Sequence, residues 1–182
     1  DFIVHLCLIV LGVVAAAWLY WQLWFLRDPE RKIPTGNVIV SPADGRVVGI
    51  VEYNATEAES AHIPKGLWGG IRSSVQEVAE QGYIISVYMN ALNVHVNRAS
   101  IGGEVIAQQH HHGKFHLAQK FPYTLAENEK NEILIQAEHF KLKVIQIAGF
   151  FVRRIESYVE VGSNLQSGDR VGLINFGSQG FV

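Results

Sequence analysis

Three side chains that can cooperate in nucleophilic catalysis lie far apart in the sequence. Ser178 follows Gly177, Asp44 sits in a Pro-Ala-Asp-Gly turn, and His95 lies in an alternating apolar run. An imidazole can take the proton of a serine hydroxyl, and a carboxylate can orient that imidazole and stabilise its charge. Each residue also has an ordinary explanation, since Asp-Gly is a favoured turn pair and histidine is common on strands. The residue types therefore allow an Asp-His-Ser set without establishing it.

Other chemistries are less well supported by the residues. No Gly-x-Ser-x-Gly elbow surrounds Ser178, which disfavours an α/β-hydrolase. The run His110 to His112 has side chains that point in different directions and no acidic or sulfur ligand nearby in sequence, so we expect no metal site. A single cysteine, Cys7, excludes an intrachain disulfide.

Composition limits the classes of protein further. The chain has 182 residues, of which 48% are hydrophobic, and a formal net charge of -2. That length suits one domain plus an extra element. A near-neutral charge argues against a nucleic-acid-binding protein, which would normally carry a basic excess.

The extra element is an apolar N-terminal segment. Residues 2–26 are interrupted only by His5 and Gln22, and three tryptophans and a tyrosine cluster near the end of this run. About 20 apolar residues span a bilayer, and amphipathic rings favour the headgroup region. A signal peptide would have a shorter apolar core that ends in small residues. We therefore predict a transmembrane anchor over residues 1–26.

The residues after the anchor suggest its orientation. Arg27, Arg31 and Lys32 follow directly, so the positive-inside rule predicts that the rest of the chain faces the cytoplasm from the inner membrane. Pro29 and Pro34 end the helix and predict a linker over residues 27–36.

Residues 37–182 are predicted to form a mainly β domain, barrel-sandwich-like and with long loops. Short β-branched runs separated by glycine-rich turns are typical of such domains. The predicted strands are 38–40, 46–51, 83–89, 103–106, 133–137, 142–147, 155–161 and 170–176. Residues 73–80 are weakly helical in pattern, and residues 57–70 and 108–131 are expected to be surface loops.

In combination, these motifs resemble the phosphatidylserine decarboxylase family in its short proenzyme form. The resemblance covers nearly the whole chain as islands in the family's order. They are residues 25–29, 41–47, 89–98, 113–115, 127–131, 147–149 with 153–155, and 176–178. A related family acts on archaetidylserine.

The resemblance implies a self-cleaving, pyruvoyl-dependent enzyme. The Ser178 hydroxyl would attack the Gly177 carbonyl to form an ester, elimination would give dehydroalanine, and hydrolysis would release ammonia. A β chain would then end at Gly177, and an α chain would begin with the pyruvoyl group derived from Ser178. Asp44 and His95 match the positions that activate the serine, with one of the three consecutive histidines as the alternative base.

The same resemblance implies decarboxylation of phosphatidylserine to phosphatidylethanolamine at the membrane. The pyruvoyl ketone would supply the electron sink that ordinary side chains lack. Arg98, Arg153 and Arg154 are candidates for the substrate phosphate, because guanidinium groups suit anions. A homo-oligomer is compatible with the sequence, which does not specify one.

The chain departs from the family pattern at a few positions. Arg98 stands where longer members have a second histidine, Ser100 where a proline is common, and Gln179 where an arginine is common. Family members also continue well past the serine, so we expect a truncated C-terminal tail.

Two alternatives stay open at this point. One is an archaetidylserine decarboxylase, which handles the same headgroup on an ether lipid. The other is a non-catalytic membrane-anchored adaptor module, because residues 160–169 resemble the turn pattern of biotinyl and lipoyl domains. The lysine that such carriers need at an exposed hairpin tip is absent.

Overall fold

The chain opens with a long apolar helix. The computed structural model describes residues 2–57, 63–64, 66–117, 120–149, 154–175 and 179–181. Helix α1 (Phe2–Tyr20) continues into a π-helical turn (Trp21–Phe25). The 24 residues Phe2–Phe25 have a mean hydropathy of 2.6, so this helix is long and apolar enough to cross a membrane. No residue of α1 is buried against the rest of the protein.

The rest of the chain is mainly β, as predicted. The helices in it are α2 (Trp68–Gln76) and α3 (Tyr123–Glu127). The strands are β1 (Arg46–Asn54), β2 (Gln81–Tyr88), β3 (Val96–Arg98), β4 (Gly103–His111), β5 (Lys130–Gln136), β6 (Lys141–Ile147), β7 (Ile155–Ser157), β8 (Asn164–Leu165), β9 (Arg170–Ile174) and β10 (Gln179–Phe181).

In the described part of the chain these strands form two antiparallel sheets. The larger has the order β1-β2-β10-β6-β5-β4-β8, and the smaller has the order β3-β9-β7. The short strand β10 is central, because it pairs with the end of β2 on one side and with the end of β6 on the other. The chain returns to the middle of the larger sheet at this point.

Two apolar clusters hold the sheets and helices together. One packs Ile71 and Leu125 of the helices onto Ile84 and Ile147 of the larger sheet. The other lies between β4, β5 and β6 and the smaller sheet, which contributes Val171. Each fully buried aliphatic side chain of this kind contributes about 1.5–3 kcal/mol.

Some local predictions are corrected by long-range pairing. Residues 38–40 are not a strand, because within the described residues a single backbone bond, from Val40 N to Ser100 O, attaches them to the domain. Residues 108–111, predicted as loop, extend β4 because β5 pairs with them. The predicted strand 155–161 ends at Ser157. Helix α2 begins before the predicted residues 73–80, since Trp68 and Ile71 face the core.

Candidate active site

Asp44 lies in a turn that is held against the end of β2. Gly45 has a φ of +154°, and a Cβ at that position would lie 2.2 Å from the Tyr88 carbonyl oxygen, so the turn requires glycine. The Asp44 Oδ2 accepts a hydrogen bond from the Val94 backbone N–H at 3.1 Å. The Arg31 guanidinium lies 3.7 Å from the same oxygen, and the Asp44 side chain is 40% exposed. The turn therefore presents one carboxylate beside the segment that carries His95.

His95 is fully buried and oriented by the backbone. Its ring stacks on Phe25, with 4.1 Å between the centroids. Its Nδ1 lies 3.0 Å from the Asn93 carbonyl oxygen. A carbonyl only accepts, so Nδ1 carries the proton and Nε2 keeps its lone pair. Within the described residues, Nε2 is buried without a hydrogen-bond partner.

The surroundings keep this imidazole neutral. Burial lowers the pKa of His95 from 6.5 to about 4. The hydrogen bond to Asn93 opposes that shift, the charge of Arg27 adds to it, and the charge of Asp44 also opposes it. The structure thus supplies an uncharged base at neutral pH. The sequence suggested that Asp44 orients the imidazole, but the Asn93 carbonyl does so.

The expected cleavage site is flanked by fixed backbone. The Gly177-Ser178 pair and Arg153 lie outside the described residues. On the N-terminal side, the Ile174 N–H donates to the His95 carbonyl oxygen at 3.2 Å. On the C-terminal side, β10 begins one residue after the serine and pairs with both β2 and β6. The strand that leads towards Gly177 is therefore hydrogen-bonded to the backbone of His95.

A chain of buried amides connects the two sheets at β3, the strand that directly follows His95. The Gln146 Nε2 donates to the Asn97 Oδ1 at 3.1 Å, and the Asn131 Nδ2 donates to the Gln146 Oε1 at 3.0 Å. A Cβ on Gly180 would lie 3.6 Å from the Asn97 Nδ2, so this amide also packs against β10. Sequence reasoning missed these residues, although polar side chains within apolar strands were a signal. They fix β3, and with it the adjacent His95, relative to the larger sheet.

The candidate substrate arginines have different surroundings. The Arg98 guanidinium donates to Asp28 Oδ1 at 2.5 Å and to the Gly168 carbonyl at 2.9 Å, and its side chain is only 13% exposed. Arg98 therefore attaches the linker to the β domain. Arg154 is 74% exposed, and its Nε lies 3.1 Å from Glu156 Oε1.

The three consecutive histidines lie at the C-terminal end of β4. The side chains of His110 and His112 share a face, and the Nε2 of the first lies 3.5 Å from Glu129 Oε1. Donor atoms of these two histidines and Glu129 lie within 4.8 Å of one another, a set that could hold a transition-metal ion. Because Glu129 is distant in sequence, the pattern of residues did not reveal this group.

A buried ionic cluster braces α2 against the larger sheet. The Glu132 carboxylate lies 3.0 Å from Lys130 Nζ and 2.8 Å from Lys143 Nζ, and it accepts a hydrogen bond from the Ser74 hydroxyl. Burial alone would raise the pKa of Glu132, but the two lysines outweigh it and lower the pKa to about 2. The carboxylate is therefore charged, and the cluster is structural.

Comparison with known proteins identifies the family. Residues 18–182 match the model of the family described as phosphatidylserine decarboxylase. A phosphatidylserine decarboxylase proenzyme of Chlorobium phaeovibrioides is 38% identical over 172 residues, which are 94% of this chain and 69% of the relative. A Ralstonia nicotianae proenzyme of the same name is 36% identical over 185 residues, covering 98% and 76% of the two chains. A Methanothermobacter thermautotrophicus protein, named provisionally as an archaetidylserine decarboxylase proenzyme, is 36% identical over 170 residues, covering 93% and 72%. The chain belongs to the phosphatidylserine decarboxylase family and is a decarboxylase.

Proposed function

We propose that this chain is a self-cleaving proenzyme that decarboxylates phosphatidylserine to phosphatidylethanolamine at a membrane. The observation that carries the proposal is the buried, neutral Nε2 of His95, which has no partner among the described residues. A buried nitrogen without a hydrogen bond is costly, and such groups persist where function uses them. The names of the relatives support the same activity.

In the proposed cleavage, His95 acts as the general base for Ser178. Its Nε2 lone pair takes the hydroxyl proton as the serine oxygen attacks the Gly177 carbonyl, and the imidazolium then gives that proton to the peptide nitrogen, which leaves as the ester forms. In the sequence, Ser178 directly precedes Gln179, the first residue of β10. Asp44 would stabilise the positive imidazole through its charge rather than by a direct hydrogen bond.

The cleaved chain would hold a pyruvoyl group derived from Ser178. The buried base beside the flanks of Gly177-Ser178 is compatible with forming that group there. When present, the ketone supplies the electron sink for loss of carbon dioxide. His95 is fully buried, and in the proposal its Nε2 takes a proton from the ammonium group of the bound headgroup and returns it to the substrate carbon after carbon dioxide is lost. The N-terminal part would end at Gly177 as the β chain, and the α chain would follow.

We also infer where the protein is located and how its chain is divided. Residues 1–26 anchor the protein, residues 27–36 link the anchor to the β domain, and residues 37–182 form that domain. The apolar helix supports an anchor, and the basic residues after it favour a domain on the cytoplasmic side of the inner membrane. A tethered enzyme meets its lipid at the interface. Arg153 and Arg154 stay candidates for the substrate phosphate, while the contacts of Arg98 favour a structural role.

The adaptor module and the archaetidylserine decarboxylase, the two alternatives from the sequence, are no longer equally supported. Membership of a decarboxylase family removes the non-catalytic adaptor module. An archaetidylserine substrate is the second candidate, since one relative carries that provisional name. Supplying ester and ether lipids with the same serine headgroup to the purified protein, and measuring released carbon dioxide, separates the two.

Intact mass before and after borohydride treatment tests the proposal. The expected result is cleavage between Gly177 and Ser178, with a carbonyl on the C-terminal fragment that borohydride reduces. Ser178→Ala should stay uncut, and His95→Gln should be cut far more slowly. His139→Gln is the matched control, because His139 is 82% exposed and distant in sequence from the site. Normal cleavage of the His95 variant would remove His95 from the reaction.

A further inference from the structure

A small cleft separates the linker from the turn that carries Asp44. Its volume is about 190 Å³. One wall is the linker, with Arg31, Lys32 and Ile33, and the other includes Asp44 and Val94. The linker is packed firmly there, because a Cβ on Gly168 would lie 2.3 Å from the side chain of Ile33. The cleft is therefore a defined feature of the fold.

Two of the cations in this cleft are available to a ligand. Arg98 also lines it, but its guanidinium is occupied by Asp28 and Gly168. Arg31 is 44% exposed, and its contact with Asp44 is a long one of 3.7 Å. Lys32 is exposed and makes no ion pair within the described residues. An anion could replace the carboxylate as the partner of Arg31.

The cleft lies close along the chain to the membrane boundary. Arg31 is six residues beyond Phe25, the last residue of the apolar helix. The intervening linker is fixed to the β domain by Asp28, which binds Arg98 and Arg170. A tryptophan-rich helix end places the adjoining linker residues near the lipid headgroups. The anion that is most concentrated at that depth is the phosphodiester of a phospholipid.

We propose that Arg31 and Lys32 bind the phosphodiester of the substrate headgroup in this cleft. The inference rests on the proposed function, because it assigns the phosphate subsite of the same reaction. Guanidinium donates to phosphate oxygens through two N–H groups, and the lysine adds a second positive charge. The serine part of the headgroup then extends past Asp44 towards the Val94-His95 segment. Arg154, the rival candidate, is already paired with Glu156.

Binding of glycerophosphoserine, a soluble headgroup without acyl chains, tests the assignment. Calorimetry on the full chain in a neutral detergent, with Ser178→Ala as the background, requires neither cleavage nor turnover. Its failure is thus distinguishable from failure of the proposed function. We expect Arg31→Gln to weaken binding by about tenfold and Lys32→Gln by a smaller factor, as for loss of one charge-assisted contact at a half-exposed site.

Matched variants and a second ligand make the test decisive. Lys141→Gln removes an exposed positive charge at the start of β6 and should leave affinity unchanged. Equal weakening by Lys141→Gln, or loss of binding only in Arg154→Gln, would overturn the assignment, as would undetectable binding to the background protein. Inorganic phosphate should bind more weakly than glycerophosphoserine. Equal affinity for the two would mean a general phosphate site rather than a headgroup site.

Discussion

Acidification should destabilise this protein through His95. The folded state holds the imidazole neutral with a pKa of about 4, whereas the unfolded chain titrates at the ordinary value of 6.5. Between these values the unfolded state binds a proton that the folded state does not, so stability falls as the pH is lowered. Above pH 6.5 both states are neutral and the effect disappears.

The size of the effect is set by the two pKa values. Complete protonation of His95 in both the folded and the unfolded state would lower the free energy of unfolding by about 3.4 kcal/mol. Lowering the pH from 7.5 to 5.5 should lower the free energy of unfolding by about 1.3 kcal/mol of this total. This window stays above the range in which Glu132 protonates, because its pKa lies at about 2 in the fold and at 4.5 in the unfolded chain.

Urea unfolding, followed by circular dichroism, measures this loss. The Ser178→Ala chain stays intact by hypothesis, so it provides a single-chain reference, and the Ser178→Ala, His95→Gln double variant removes the titrating group. The reference should lose about 1.3 kcal/mol more than the double variant between pH 7.5 and 5.5. Parallel pH dependence of the two proteins would show that His95 is not held neutral by burial, and the case for it as a buried base would fail.

Three other perturbations probe separate parts of the structure. Glu132→Gln leaves the buried Lys130 without a counter-charge and Lys143 with only the more exposed Glu77, so it should cost about 3–5 kcal/mol in urea unfolding, whereas Glu138→Gln, at a site 87% exposed, should change stability by less than about 0.5 kcal/mol. Gly45→Ala forces a Cβ against a backbone oxygen at 2.2 Å and should slow self-cleavage in a gel time course; an unchanged rate would show that the turn tolerates displacement. Phe25→Leu should move the pKa of His95 from about 4 towards 6.5 in a nuclear magnetic resonance titration, since the ring covers the imidazole.

Much of the β domain was predictable because its main strands have local patterns. Alternating β-branched residues indicated β1, β2, β5 and β6 within a few residues of their bounds. Errors occurred where the deciding partner is distant in sequence. Residues 108–111 have a polar composition typical of loops, and they become strand because β5 offers a complete edge to pair with. Residues 38–40 are β-branched, but no strand in the described part of the chain pairs with them.

The candidate site was predictable as residue types and not as an environment. Asp44 and His95 were selected from motifs, and the bond from Val94 N to Asp44 brings their segments together across 50 residues. His95 is a neutral base because its ring is buried under Phe25 and the Asn93 carbonyl fixes its orientation. The burial under Phe25 has no local signature, since an apolar helix end does not reveal which side chain it will cover.

The end of the apolar N-terminal helix is itself part of the candidate site. The Tyr20 hydroxyl donates to the Ala91 carbonyl at 2.6 Å, and Arg27 donates to the Leu92 carbonyl at 2.6 Å. These bonds fix the helix end to the loop that leads into His95, and the aromatic ring that buries the imidazole belongs to the same helix end. Burial is the largest cause of the lowered pKa of His95, so the neutral base depends on how this helix end packs on the β domain. In the proposed anchored enzyme, attachment to the membrane and activation of the site are therefore one structural problem, and separating the β domain from the apolar helix would remove part of the environment of the base.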